Sequence, residues 1–295
     1  MKRKRYYRQA RGAFTLIEIM VATVVMLILV GLVVQITSNV LNVWNRASGK
    51  LAANAEARIA MDLLTQDLQT AVFRNNGQQW LRVKGPIDPN GNYNNQTVSL
   101  KLFSPALDRP MLDSDGYEIP GDICAIGYRL AYKESYSSDT HSVPKTFALY
   151  RSIVDPRTTF DLLLGDPNQQ ELAGGLWADD SIIDEANYLV SNIVEFKIFV
   201  YSDDGSKLAL NDREGNEADL KIDRDSDVIF GGTGGNATDL LYAEIVLTVV
   251  SDNGLELLRL LDEGRSGTGY SRPNDVVREH GKQFNRRVYF PSQSF

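Results

Sequence analysis

Residues 14–34 form a run of 21 that holds a single charged side chain, Glu18, and few other polar groups. A helix of that length rises about 30 Å, the thickness of a bilayer's hydrocarbon core. Nothing else in the chain restricts its possible folds as strongly, because such a helix needs lipid or other apolar helices around it. Ahead of it, Lys2, Arg3, Lys4, Arg5, Arg8 and Arg11 place six positive charges and no acids in the first twelve residues. A basic flank of this kind stays on the cytoplasmic side, so the C-terminal bulk is expected on the far side. The rest of the chain carries 25 basic residues (31 less these six) against 38 acidic ones. An acidic body is ill suited to nucleic acid. A secretory signal peptide would have a shorter apolar core and a small-x-small cleavage site after it. None is evident around residues 30–42. A plain signal anchor matches the hydropathy but leaves unexplained a carboxylate near the start of the span, where an unpaired charge is expensive.

That carboxylate has a context. Gly12-Ala13-Phe14-Thr15-Leu16-Ile17-Glu18 resembles the type III signal of type IV pilins and type II secretion pseudopilins. The resemblance implies that a membrane aspartyl peptidase (prepilin peptidase) cuts between a small residue and an aromatic one and methylates the new amino terminus. It also implies a glutamate four residues beyond the cut. The bond that gives Glu18 this spacing is Ala13–Phe14; Ala13 stands where the family usually has Gly, and Gly12 sits one residue early. Phe14 is then the methylated first residue. Four residues is about one helical turn, which puts Glu18 near the amino group of Phe14 in its own chain or in a neighbour. In low dielectric a lone carboxylate and a lone ammonium are each costly, and each neutralises the other. The pair would set the register of a helix staggered along a filament. The plainer alternative is a Glu18 that snorkels toward the headgroups.

Helical patterning continues past the span, with no proline before Pro86. Val40, Trp44, Ala47, Leu51, Ala55, Ile59 and Leu63 read as an apolar stripe, extended by Ala60, Leu64, Leu68 and Val72. Arg46, Lys50, Glu56, Arg58, Asp62 and Asp67 read as the polar face, and Arg74-Asn75-Asn76-Gly77 as the helix end. The stripe is Ala-rich and lacks the sustained heptads of a coiled coil. Beyond Gly77 short alternating runs predict half-buried strands around residues 98–103, 124–133, 146–154, 194–200, 241–249 and 287–290. Asp203-Asp204-Gly205 and Asp252-Asn253-Gly254 read as turns, and segments 104–120, 155–192, 202–238 and 262–285 as polar loops. The expected fold class is α+β: a long N-terminal hydrophobic helix packed against an antiparallel β-sheet head. Its expected divisions are a cleaved leader (1–13), a transmembrane or filament-core half-helix (14–34), an amphipathic half-helix (35–76) and an extracytoplasmic β-rich head (77–295).

The order of Ile-Cys-Ala-Ile-Gly-Tyr-Arg-Leu, Ala-Leu-Tyr-Arg-Ser, Tyr-Leu-Val-Ser-Asn-Ile-Val-Glu-Phe-Lys-Ile and Ala-Glu-Ile-Val-Leu-Thr-Val is similar to that in the J-type minor pseudopilin. It is also similar to that in the Verru_Chthon cassette protein C family. The K-type minor pseudopilin usually lacks the glutamate that is present here as Glu18.

Few residues invite other chemistry. His141 and His280 have no metal-spaced partner and read as surface residues, and Cys124 reads as a small buried apolar residue. Gly264-Arg-Ser-Gly-Thr-Gly269 lacks the last glycine of a serine-hydrolase elbow, with Thr268 in its place. Gly231-Gly-Thr-Gly-Gly235 lacks the Lys-Ser/Thr of a phosphate loop. The acidic cluster Asp219, Asp223, Asp225 and Asp227 and a smaller one, Asp113, Asp115 and Glu118, offer oxygen ligands of the kind calcium takes. Yet Val228 and Gly234 stand where an EF-hand loop needs Gly and Glu, and solvated loop charge is the favoured reading. No cofactor and no enzymatic activity are expected. The expected role is a minor-pseudopilin-like structural subunit, anchored once in the inner membrane with its head outside the cytoplasm. Its partners would be other minor and major pseudopilins or pilins, prepilin peptidase, the inner-membrane assembly platform and membrane lipid. A pilin-like adhesin and a membrane-anchored enzyme are the alternatives; for the enzyme the sequence supplies no nucleophile–base–acid set.

Overall fold

The absence of proline before Pro86 and a threonine at the helix start allow one uninterrupted helix, α1 (Leu16–Gln69). The computed structural model describes residues 15–73, 79–87, 97–106, 115–117, 122–134, 145–164, 178–208, 210–211, 217–218, 226–231, 239–265 and 269–290. Two compact units divide the chain, Met1–Ser48 and Gly49–Phe295. In the first unit, every side chain described along α1 is exposed.

Among the described residues of the second unit, twelve strands follow: β1 (Gln79–Ile87), β2 (Thr97–Ser104), β3 (Cys124–Glu134), β4 (Lys145–Val154), β5 (Tyr188–Ser191), β6 (Ile193–Ser202), β7 (Lys207–Leu208), β8 (Leu210–Asn211), β9 (Glu217–Ala218), β10 (Ser226–Gly231), β11 (Leu240–Val250) and β12 (Gly281–Tyr289). Interspersed are α2 (Pro156–Thr158), which continues as a π-turn over Thr159–Leu164, then α3 (Asp179–Ile182), α4 (Asp252–Asp262) and α5 (Pro273–His280). One sheet has the order β5-β4-β3-β2-β1-β10-β8-β9 and the other β12-β11-β6-β7. The strand pairs are antiparallel. The end of α1 shares one core with residues from both sheets, among them Leu64, Leu68, Leu100, Phe196 and Leu247. The expected class, α+β with a long apolar N-terminal helix and antiparallel sheets, is the observed one.

Several local expectations are corrected. The buried face of α1 is Ala53, Ala57, Ala60, Met61, Leu64, Asp67 and Leu68, whereas Leu51 is 69% and Ile59 53% exposed. Hydropathy gives bulky side chains the most weight, but the sheets approach the face whose alanines leave room for them. The helix also stops before the expected Asn75. Just past its end, the Val72 N–H donates to Phe103 O at 2.8 Å and the Phe73 ring meets Trp80 edge-on at 4.5 Å. β3 is buried on both faces rather than one, because α3 covers the second: Ile182 presses on Gly127, where an added Cβ would lie 2.8 Å from its Cδ1.

Asp252-Asn253-Gly254 opens α4 instead of turning, since Ser251 caps it by accepting from the Gly254 N–H at 3.4 Å. α4 ends in a Schellman motif: Gly264 has φ +67°, its N–H donates to Leu261 O at 3.1 Å, and the Arg265 N–H donates to Leu260 O at 3.0 Å. The segment read as a loop over 262–285 contains α5 and the start of β12, and that over 202–238 contains β7 to β10.

Candidate functional site

Thr15 and Glu18 build the start of α1. Glu18 Oε2 accepts from the Thr15 N–H at 3.1 Å and from Thr15 Oγ1 at 3.2 Å. In return the Glu18 N–H reaches Thr15 Oγ1 at 3.3 Å and Thr15 O at 3.1 Å. This is a capping box, in which two backbone donors that the first turn leaves orphaned are satisfied reciprocally. Its signature, Thr-x-x-Glu ahead of an apolar run, is plain in the sequence, although the motif had pointed elsewhere. A carboxylate in the first turn also faces the positive end of the helix dipole. Ala13 and Phe14, the expected cleavage junction and methylation site, lie outside the described residues.

From there Leu16 to Trp44 present apolar side chains, most of them half or more exposed. An 18-residue window of this helix has mean hydropathy 2.8 and none of it is buried, so by length and composition it can cross a membrane.

The end of α1 is fixed by charge. Arg151 on β4 donates from Nε to Asp67 Oδ2 and from Nη2 to Asp67 Oδ1, both at 2.9 Å, and Tyr128 Oη on β3 also donates to Oδ2. The two charged side chains are 2% and 1% exposed. A bidentate pair with an added hydroxyl is the geometry that lets a buried pair offset its desolvation. The sequence reading put Asp67 on the polar face, and no local signal marks it, since its partners come from strands far along the chain. Three turns earlier on α1, Glu56 accepts from the Ser191 N–H at 3.1 Å and from its hydroxyl at 2.7 Å. Arg286 reaches Asp62 at 2.6 Å and Thr65 at 3.2 Å.

Asp219, Asp223, Asp225, Asp113, Glu118 and His141 lie outside the described residues. Asp227 falls on β10 opposite Lys84 and Asn211, and Asp115 is exposed. Among the described residues no His, Cys, Asp and Glu converge as a metal site. Cys124 is buried, as expected. His280 is half-buried rather than superficial, packed on Gly254 of α4, with Nε2 at 3.1 Å from Tyr270 Oη.

No family model matches the chain, and no curated protein matches it. Among solved structures it is similar to a type IV-like pilin from Thermus thermophilus, at 10% identity over 81% of this chain and 96% of that one, with a TM-score of 0.34. Overlap at that score does not define a common topology.

Proposed function

We propose that the chain is a pilin-like structural subunit without enzymatic activity, a minor-pseudopilin-like protein that assembles through α1 into the tip of a secretion-system pseudopilus or a pilus. In this reading prepilin peptidase cuts Ala13–Phe14, Phe14 is methylated, and the helix holds the protein in the inner membrane until other subunits receive it. The observation that carries the reading is the placing of Glu18. It opens the wholly exposed apolar half of α1, directly behind a basic leader and a small–aromatic junction. The capping box adds a second duty: Glu18 holds the first turn in shape while its charge remains available to an amino group.

Two substitutions separate the duties. Glu18→Gln keeps the capping acceptor and drops the charge, whereas Glu18→Ala drops both. Crosslinking to co-expressed pilin-like subunits, read beside membrane abundance, is expected to fall in both variants while abundance holds. Wild-type crosslinking in Glu18→Gln would reject the register role. Independently, mass spectrometry of the membrane-extracted chain is expected to find methylated Phe14 as its first residue. A mature chain beginning beyond Val34 would overturn the whole proposal.

A further inference from the structure

The four-stranded sheet has one very short edge, the two-residue β7, and one long edge, the nine-residue β12. Among the described residues no strand pairs with the outer side of β12. The Phe290 N–H donates to Leu241 O at 3.1 Å, in line with a ladder that sets Val288 opposite Ala243 and Phe284 opposite Leu247. Residues of an antiparallel strand bond alternately to one side and the other. Arg286, Phe284 and Val288 therefore bond inward, and Gln283, Asn285, Arg287 and Tyr289 turn their N–H and C=O groups outward. Such a row is a template for an added strand.

Charge selects the occupant. β12 carries Lys282, Arg286 and Arg287 and no acid, in a body where acids outnumber bases. Two copies laid edge to edge would bring these like charges together, which disfavours self-pairing. Arg286 is engaged by Asp62, but Lys282 and Arg287 are exposed, with Arg287 lying 5.3 Å from the Tyr242 ring centre. Tyr289, 60% exposed, continues a row in which Tyr242 stacks on Tyr201 at 4.4 Å and meets Tyr289 at 5.6 Å. Tyrosine and arginine are the side chains that most often anchor protein interfaces.

We propose that the outer edge of β12 receives an extended acidic segment of a partner polypeptide as an added strand, with Arg287 facing its carboxylates and Tyr289, on the same face of the sheet, packing against it. This does not depend on the filament reading. The test uses the full chain in detergent, titrated with a fluorescent nine-residue peptide alternating Val and Glu and with a Val/Lys counterpart. The Glu peptide is expected to bind and the Lys peptide not to bind. Amide exchange is expected to slow at Gln283, Asn285, Arg287 and Tyr289 and to stay unchanged at Phe284 and Val288. Arg287→Glu is expected to weaken binding about tenfold. Asn285→Pro, which removes one outward donor and spares the inner ladder, is expected to weaken it comparably. Equal binding of both peptides, no binding of either, or binding without protection of the outward amides overturns the proposal. So does displacement of the peptide by phosphatidylglycerol vesicles without such protection, which would make the basic edge a lipid contact.

Discussion

Tyr150 on β4 is buried, and among the described residues its hydroxyl has no hydrogen-bond partner. Burial, with Tyr188 and Glu185 adding to it, pushes its pKa up to about 12 from 10.0. The folded state thus favours neutral tyrosine: the contribution is whole below pH 10 and is lost as pH rises toward 12. Tyr150→Phe removes an unsatisfied polar atom. At pH 7 it is expected to be as stable as the wild type or up to about 1 kcal/mol more so in urea denaturation. Between pH 10 and 12 it should lose less stability than the wild type, and an equal loss would show that Tyr150 is not the group titrating. Asp67 is the opposite case, a buried polar group fully engaged. Asp67→Asn or Arg151→Met alone is expected to cost about 3–5 kcal/mol, because each leaves a charge stranded. The double variant Asp67→Asn/Arg151→Met should cost less than the two singles added together. Strict additivity in guanidinium unfolding would mean that the pair is not coupled.

Glycine positions decide whether neighbouring elements can meet. At Gly281, between α5 and β12, an added Cβ would lie 2.3 Å from Val277 O, a backbone atom with no freedom to retreat. At Gly264 the space is open and only the positive φ objects. Gly281→Ala is expected to destabilise by about 3 kcal/mol and Gly264→Ala by about 1 kcal/mol; thermal melting that ranks them the other way would refute the packing argument. Gly281 also shows where sequence reading stops. β2, β3, β4, β6 and β11 were legible because apolar residues recur at alternate positions, and the capping box of Thr15 and Glu18 was there to be read. α5 was not, since eight mostly polar residues with Val276 as their only buried side chain look like a loop. β1 contains Gly85-Pro86, which interrupts the strand pattern, and received no assignment from the sequence. The Asp67–Arg151 pair joins residues brought together only by the finished fold, so no window along the chain contains it.

The core of the second unit includes the last turns of α1, and this makes the helix part of the head's own fold. A chain beginning at Gly49 is expected to fold without detergent and to unfold in one cooperative transition. One beginning at Gln79 loses Ala57, Ala60, Leu64 and Leu68 from the core and is expected to remain unfolded by circular dichroism. Cooperative folding of the shorter chain would show that the sheets are self-sufficient. The division of labour around α1 has a further consequence. Its inner face is alanine against sheet, where an extra methylene has nowhere to go, while its outer face carries Leu51 and Ile59 in the open. Heritable variation is therefore filtered unequally on the two sides. The inward alanines admit almost no change, whereas outward positions one or two residues away can drift freely, so the surface offered to other molecules can diverge between lineages while the head keeps one architecture.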